Sequence, residues 1–202
     1  MLPLGLFKSR NFSAGNIATF FIYAALALQG FLLVIFLQQV AGFTATEAGL
    51  ASLPVTIIMF FLSSRFGALS GKYGPRWFMT VGPIIAGLGT LYMSSVNLPA
   101  NYWTELLPGI LLFGLGLSVT VAPLTSAILG SIESKQAGIG SAVNNAVARI
   151  AGLLAVAVVG LLIGTSVDLN GFRIGITACA LLLIIGGVIS AVGIRNKFVE
   201  TD

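Results

Sequence analysis

Long apolar segments are the feature of this sequence that most restricts its fold. A helix of about 20 apolar residues crosses the roughly 30 Å hydrocarbon layer of a bilayer. Six segments approach or exceed that length: residues 16–39, 47–69, 77–95, 102–131, 138–164 and 173–194. Because each is continuously apolar rather than alternating, a strand barrel is disfavoured. The sequence therefore predicts an all-α membrane protein with six transmembrane helices in one domain, residues 1–202.

The composition agrees with a chain that is buried in lipid. Charged residues make up 8% of the 202 residues and hydrophobic residues 57%, whereas an average soluble domain is about 25% charged. So few charges cannot cover a water-facing surface of this size. We expect the lipid bilayer as the main partner and no nucleic-acid partner, despite the net charge of +4.

Several chemistries are excluded because the required residues are missing. The chain has no histidine, which removes Ser-His and Cys-His nucleophile pairs and all histidine metal sites. The single cysteine, Cys179, cannot form an intrachain disulfide. No phosphate-binding G-x-x-x-x-G-K-[ST] loop occurs. The sequence predicts no enzyme activity, no catalytic residue, no metal site and no cofactor.

The distribution of lysine and arginine predicts the orientation in the membrane. The first, third and fifth loops carry only Arg173. The two termini and the second and fourth loops carry Lys8, Arg10, Arg65, Lys72, Arg76, Lys135, Arg195 and Lys197. Since cytoplasmic loops are enriched in basic residues, both termini should be cytoplasmic.

The fifth predicted helix contains an arginine near the middle of the membrane. Arg149 follows Asn145 by four positions, which places both on one helix face, and Asn144 adjoins them. A charge at this depth costs about 2.5–3.5 kcal/mol. Two interpretations stay open. This face lines the bundle interior or a water-filled cavity, or Arg149 reaches the cytoplasmic headgroups or bonds free carbonyls structurally.

Two other helices carry polar groups at membrane depth. Gln29 lies near the centre of the first helix, one and a half turns after Tyr23. Thr120 and Thr125 flank Pro123 on the fourth helix. These side chains either face a cavity or satisfy interhelical and proline-released backbone groups. No Asp or Glu lies in mid-span, so a carboxylate for proton coupling is expected outside this chain.

The loop between the second and third helices reads Gly67-Ala-Leu-Ser-Gly-Lys-Tyr-Gly-Pro-Arg76. It resembles the signature loop G-x-L-[AS]-D-R-x-G-R-[RK] of the major facilitator superfamily. Gly67, Lys72, Gly74 and Arg76 match that pattern in type, whereas Gly71 stands at its acidic position. The resemblance implies a cytoplasmic gate in which Lys72 and Arg76 pair with carboxylates or helix C-termini. The other interpretation of these two residues is topology signalling and contact with lipid phosphate.

Further stretches extend the resemblance over nearly the whole chain. Residues 4–12, 114–124, 137–144 and 149–152 are similar to the C-terminal six-helix half of fourteen-helix drug:proton antiporters of the QacA and EmrB type. The resemblance implies one major-facilitator-type half, built as a 3+3 inverted repeat. Its first and fourth helices would line the central cavity, which turns Tyr23, Gln29, Thr120 and Thr125 toward the substrate.

The function implied by this resemblance is secondary active transport, by a whole transporter or by its C-terminal half. Small hydrophobic or cationic compounds would leave the cell by alternating access while protons enter. The expected partners are a small-molecule substrate, protons, and a second transmembrane half or a homo-oligomer. The second half would be a separate chain, a homologous copy or a sequence missing through truncation. The expected location is a bacterial inner membrane.

Three alternatives remain open from the residues alone. The first is a self-contained six-helix channel or facilitator. The second is an intramembrane protease, although a Ser-His dyad cannot form without histidine. The third is a membrane protein that does not transport, such as a truncated remnant. The substrate is not predicted by any feature of the sequence.

Overall fold

The computed structural model describes residues 4–163 and 167–196, which are helical apart from short connections. Within those ranges six long α-helices are present: α1 Arg10–Ile35, α2 Ala45–Tyr73, α3 Pro75–Met93, α4 Leu107–Leu129, α5 Ala137–Ile163 and α6 Leu169–Gly193. A π-helical turn continues α1 over Phe36–Val40, and another precedes α4 at Tyr102–Leu106. Short 3-10 helices occupy Leu4–Lys8 and Ser134–Gln136.

A helix covers each of the six predicted segments, with shifted ends. The first helix begins at Arg10 rather than at residue 16, and the predicted end at residue 164 lies outside the described residues. Among the residues that the structure describes, five segments are long and apolar enough to cross a membrane: Arg10–Val40, Ala45–Tyr73, Tyr102–Leu129, Ser134–Gly160 and Leu169–Gly193. The helix α3 is not among them: with 19 residues it is long enough, but Pro75 and Arg76 at its start lower its mean hydropathy. Six crossings therefore stay a prediction.

Local sequence explains where the helices begin and end. Thr44 and Glu47 form a capping box at the start of α2, in which each side chain binds the backbone N–H of the other residue. Gly74, with φ of 86°, separates α2 from α3, a conformation that favours glycine. Pro75 then occupies the first position of α3, where its missing N–H is not needed.

The main helix contacts connect the six helices in the spatial order α5, α1, α6, α3, α4 and α2. The helices α1 and α4 also touch each other, which closes the bundle around a dry core. At one end of this core the rings of Phe36 and Phe172 stack with centroids 3.9 Å apart. The helices α2 and α5 lie at the two ends of the order and expose large apolar side chains, such as Phe60 at 79% and Leu153 at 74%.

The α3–α4 contact is closed by glycines on both helices. A Cβ added to Gly89 would lie 2.7 Å from the carbonyl oxygen of Gly109. One added to Gly82 would lie 2.8 Å from the carbonyl oxygen of Gly116. Only small residues allow two helix backbones to approach this closely. We call this contact the glycine seam, defined by Gly82, Gly89, Gly109 and Gly116.

Candidate functional site

An open groove of about 660 Å³ runs between α1 and α5. We call it the Arg149 groove. It is lined by Tyr23, Leu26 and Ala27 from α1 and by Ala148, Arg149, Gly152, Leu153 and Val156 from α5. Two of these eight residues, Tyr23 and Arg149, carry polar side-chain groups. The structure thus places side by side two of the residues that the sequence singles out, although 126 positions separate them.

The α1 and α5 backbones come close at one point beside the groove. A Cβ on Gly152 would lie 3.1 Å from the Cβ of Ala27, so these two small residues set the distance between the helices. The larger side chains of Tyr23, Arg149 and Leu153 stand around this point. The groove is therefore bordered by long side chains but has a floor of small residues.

The charge of Arg149 has no counterpart among the described residues. Its side chain is exposed and forms no hydrogen bond within residues 4–163 and 167–196. Arg149 lies twelve residues after the start of α5, or about 18 Å along the axis at 1.5 Å per residue. The six acidic residues, Glu47, Glu105, Glu133, Asp168, Glu200 and Asp202, are all near segment ends or chain ends. A cation at this depth attracts an anion, because the surrounding dielectric screens it weakly.

A hydrogen-bonded cluster joins α5 to α1 on the N-terminal side of the groove. The Asn144 amide donates to the Thr19 hydroxyl at 2.8 Å and to the Asn16 side-chain oxygen at 3.2 Å. Asn16 and Thr19 are buried, and each donates its own hydrogen to a carbonyl one turn earlier in α1. Asn144 thus fixes how α5 is rotated against α1.

Sequence reasoning missed Asn16 and Thr19, which receive the Asn144 amide. The available signal was their spacing, because residues three apart share one face of a helix. Asn145, in contrast, is exposed and donates only to the Ser141 carbonyl of its own helix at 3.2 Å. Of the two neighbouring asparagines, Asn144 makes the contact between helices.

The remaining predicted cavity residues do not line the Arg149 groove. Gln29 is buried, with 3% of its surface exposed. Thr120 is fully buried, donates to the Gly116 carbonyl at 2.6 Å and faces Gly82 of α3. Thr125 is exposed and donates to the Val121 carbonyl of its own helix at 3.2 Å. Thr120 therefore belongs to the packing of α3 on α4.

The signature loop contacts the C-terminal end of α6. The Arg76 Nε donates to the Ala191 carbonyl at 2.9 Å, and the Arg76 backbone N–H donates to the Asn196 side-chain oxygen at 3.1 Å. A Cβ on Gly74 would overlap the Asn196 side chain. Since the carbonyl end of a helix carries a partial negative charge, a guanidinium there is favourable.

The other glycines and the lysine of the signature loop have different surroundings. A Cβ on Gly67 would lie 3.2 Å from the Ala122 Cβ of α4, whereas one on Gly71 would meet nothing within 4 Å. Lys72 is exposed, with its ammonium 5.4 Å from the centroid of the Tyr73 ring. Arg76 is thus the basic residue of this loop that contacts α6 in the structure.

A second arginine binds the same end of α6. Arg10, at the start of α1, donates to the Val192 carbonyl at 2.7 Å and to the Gly193 carbonyl at 3.0 Å. Beside it, Asn11 exchanges two hydrogen bonds of 2.9 Å with the backbone of Arg195. We call Arg10, Asn11, Arg76 and Asn196 the α6 clamp. Sequence reasoning used Arg10 only to predict orientation, whereas the resemblance led us to expect Arg76 to pair with carboxylates or helix C-termini.

The opposite end of α6 is joined to the α3–α4 loop. Arg173 donates to the Val96 carbonyl at 2.7 Å and to the Asn97 side-chain oxygen at 2.9 Å. Its buried Nε has no hydrogen-bond partner in the described part of the chain. Glu105 accepts from the backbone N–H groups of Asn97 and Asn101 at 3.2 and 2.8 Å. The helix α6 is therefore tied to α3 at both ends.

A bundle of apolar helices with a charge at membrane depth is typical of transporters, and comparison with known proteins identifies the family. The sequence model of the Major Facilitator Superfamily matches residues 15–200. The chain belongs to this superfamily. It is accordingly an integral membrane protein of a transporter family and not an enzyme, as the sequence predicts.

Relatives in this family include drug exporters. The chain is 26% identical over 191 residues to the methylenomycin A resistance protein of Streptomyces coelicolor, covering 93% of this chain and 40% of that protein. It is 29% identical over 157 residues to the multidrug export protein EmrB of Escherichia coli, covering 75% and 30%. It is 30% identical over 152 residues to an uncharacterised transporter of the same type, YhcA of Bacillus subtilis, covering 75% and 28%. The chain thus spans 28–40% of the length of these three relatives. The predicted likeness to major-facilitator drug exporters is confirmed.

Proposed function

We propose that the chain forms one six-helix half of a secondary active transporter that exports small hydrophobic or cationic compounds in exchange for protons. The observation that carries this proposal is the Arg149 groove. It places an ionised side chain at membrane depth in an open groove of about 660 Å³, in a member of a transporter family. Ligand sites of about 300–1,000 Å³ with a few polar groups among apolar residues hold drug-sized molecules.

The order of helix contacts supports a 3+3 inverted repeat within this half. The helix α1 packs against α5 and α6, and α4 packs against α2 and α3. If α1, α2 and α3 are exchanged with α4, α5 and α6, the α1–α5 contact becomes the α4–α2 contact. In the same way the α1–α6 contact becomes the α4–α3 contact. The α3–α6 and α1–α4 contacts are converted into themselves. Such a pattern is expected of two three-helix units related by a twofold axis in the membrane plane.

The need for a second half is supported by the exposed faces of α2 and α5. Phe60 and Phe61 on α2 and Leu153 on α5 are between 63% and 79% exposed. The groove has walls from α1 and α5 and is open opposite them. The part of each relative that this chain matches is 28–40% of that relative's length, so most of each relative lies outside the match. A second six-helix half, from another chain, a homologous copy or the rest of a longer chain, would close the cavity.

In the proposed mechanism the two halves rock as rigid bodies about a site near the membrane midplane. The glycine seam and the α6 clamp hold α3, α4 and α6 together, so this half moves as one unit. Hydrophobic compounds bind the apolar walls of the groove. Because the acidic residues of this chain are near segment ends or chain ends, the carboxylate that exchanges protons is supplied by the second half. Both termini lie in the cytoplasm of a bacterial cell.

Transport by inside-out membrane vesicles tests this proposal. The chain is expressed together with its genomic flanking sequence, a proton gradient is imposed, and uptake of a fluorescent hydrophobic dye is followed. We expect uptake that stops when an uncoupler dissipates the gradient. Arg149→Ala should abolish uptake without lowering the amount of protein in the membrane. The matched control is Arg65→Ala, since Arg65 is also an exposed arginine of a long helix but lies outside the groove.

Each result has a defined meaning. Dye flux that is insensitive to the proton gradient would replace the antiporter by a channel or facilitator. Unchanged uptake by Arg149→Ala would remove the groove from the transport path. A chain that supports full coupled uptake alone, as a monomer, would contradict the requirement for a second half.

A further inference from the structure

We infer that the Arg149 groove binds an amphipathic organic anion, with its charged group on Arg149 and Tyr23 and its apolar body along the rest of the groove. This inference rests on the proposed function and names the substrate class for this groove. It narrows the substrates of this groove to hydrophobic compounds of negative charge, and a cationic substrate would need the carboxylate that we assign to the second half.

The first step of the argument is charge. Among the eight residues that line the groove, Arg149 carries the ionised group, and none is acidic. The helices α1 and α5 contain no Asp or Glu at all. An organic cation in this groove would therefore meet a like charge with no compensating carboxylate in the described lining, whereas an anion would neutralise the charge.

The second step is the hydrogen-bonding chemistry of the two polar side chains. A guanidinium presents five N–H donors in a planar fork that fits carboxylate, sulfonate and phosphate oxygens. The Arg149 donors and the Tyr23 hydroxyl are not bonded to other residues in the described ranges, so both remain available to a ligand. Because both groups line one groove, a single ligand can contact both.

The third step is the apolar surface that the rest of the ligand would contact. The polar groups share the groove with Leu26, Ala27, Leu153 and Val156. These side chains provide a hydrophobic wall next to the guanidinium, which a small inorganic anion would leave uncovered. A ligand that carries an apolar body of drug size fills the groove and satisfies the charge together.

The fourth step is the fixed direction of α5. Its contacts with α1 lie on both sides of Arg149 along the helix, at Asn144 and at Gly152. The Asn144 side chain is hydrogen-bonded to Thr19, and a Cβ on Gly152 would make a tight contact of 3.1 Å with the Ala27 Cβ. Arg149 is therefore held toward the groove by the backbone on either side, and the site does not need a ligand to form.

An anionic group beside an apolar body can come from two sources. One is a transported organic acid, and the other is the phosphate and acyl chain of an anionic membrane lipid. Both satisfy the same chemistry of a negative oxygen on Arg149 and an apolar body along α1 and α5. The test below therefore includes the lipid composition as a variable.

Binding of 1-anilinonaphthalene-8-sulfonate to the purified chain, in nanodiscs of phosphatidylcholine, tests the inference by fluorescence titration. N-phenyl-1-naphthylamine is the matched uncharged probe, because it keeps the rings and lacks the sulfonate. We expect Arg149→Gln to weaken sulfonate binding about tenfold and to leave binding of the uncharged probe unchanged. Arg149→Lys should retain part of the affinity, and Tyr23→Phe should weaken it by a smaller factor, of about three. Arg65→Gln is the control.

A second variant tests the position of the ligand independently of the charge. Ala148→Phe adds a ring to the groove lining while Arg149 is retained, so it should reduce saturable binding of both probes. Phosphatidylglycerol in the nanodiscs is the lipid arm. If it competes with the sulfonate probe and Arg149→Gln abolishes the competition, the anion is a lipid headgroup. If it does not compete, a free organic acid is the ligand.

The inference is overturned if Arg149→Gln and wild type bind the sulfonate with equal affinity, or if Ala148→Phe leaves saturable binding unchanged. It is also overturned if both probes lose affinity equally in Arg149→Gln. These measurements use no proton gradient and no second half. A negative result therefore leaves coupled transport untouched, and a failure of coupled transport leaves the binding result standing.

Discussion

The glycine seam between α3 and α4 and the contact between α1 and α5 both use small residues, with opposite results. In the glycine seam, glycines face backbone on both helices, and the groove beside the seam, which Val81, Ile85, Leu115 and Val119 help to line, has no charged residue in its lining. Between α1 and α5, Gly152 meets Ala27 at one point, and longer side chains border an open groove. Four glycines hold α3 and α4 together along the seam, whereas the α1–α5 contact has one such point beside a groove that contains a charged residue.

The polar side chains at these two contacts also differ in where they donate their hydrogens. Thr120 at the glycine seam donates its hydroxyl hydrogen to the Gly116 carbonyl of its own helix. At the α1–α5 contact, Asn144 bonds across to Thr19 and Asn16, and Arg149 has no hydrogen-bond partner within residues 4–163 and 167–196. The glycine seam therefore depends on packing, and the α1–α5 contact depends on hydrogen bonds and charge.

The largest expected effect on stability is at the glycine seam. Gly116→Ala should lower the free energy of unfolding by about 1–3 kcal/mol, because the new Cβ would overlap the α3 backbone at Ala86. Unfolding in mixed detergent micelles, followed by circular dichroism, measures the change. The matched control is Gly160→Ala, whose Cβ would meet nothing within 4 Å. Equal destabilisation by the two variants would remove the distinction between a tight and an open contact.

A smaller effect is expected from the polar cluster. Asn144→Ala removes both hydrogen bonds from α5 to α1 and should cost about 0.6–2 kcal/mol of unfolding free energy. Asn145→Ala provides the control, since its side chain bonds only within α5. The same unfolding assay applies to both. If Asn145→Ala proves the more damaging, the structure has the wrong face of α5 against α1.

The α6 clamp should contribute less to the unfolding free energy than the Asn144 cluster does. Arg76→Gln removes a charged donor from the C-terminal carbonyls of α6, which is worth about 0.3–1 kcal/mol. Lys72→Gln, on the same loop but without contact to α6, should change the unfolding free energy by less than about 0.5 kcal/mol. A destabilisation by Lys72→Gln as large as that by Arg76→Gln would mean that the loop acts through its total charge rather than through the clamp.

The substitution with the smallest expected effect on the unfolding free energy should have a large effect on transport. Ala148→Phe adds its ring to the open Arg149 groove, so the unfolding free energy should change by less than about 0.5 kcal/mol. Dye uptake by vesicles should nevertheless be lost, because the groove is filled. Val158→Phe, on the opposite side of the same helix, 52% exposed and outside the groove lining, should leave uptake intact. Unimpaired uptake by Ala148→Phe would show that the substrate passes elsewhere.

Much of the helical architecture could be predicted from the sequence, for a reason that is specific to membranes. In hydrocarbon every backbone N–H and C=O must be bonded internally, so a long apolar segment has helix as its stable form. The ends were harder to predict. The start of α1 at Arg10 depends on contacts of Arg10 and Asn11 with the end of α6, which are more than 180 residues away.

The candidate site also has a part that could be predicted from the sequence and a part that could not. Arg149 could be identified from sequence, because a charge inside an apolar segment is costly wherever the helix lies. The signature loop and the family could also be recognised from local order. Thr120 and Asn144 were both predicted as cavity residues, yet one packs against α3 and the other bonds to α1.

The sequence by itself determined the helices, the lipid environment and the presence of one charge at membrane depth, because these depend on the composition of single segments. Only the tertiary structure decided that Tyr23 and Arg149 share a groove, that Asn16 and Thr19 hold Asn144, and that α6 is clamped by two arginines. The physical reason is that helix rotation and pairing are set by contacts between segments. In lipid these contacts are chosen by shape and hydrogen bonding rather than by hydrophobicity, which all six helices share.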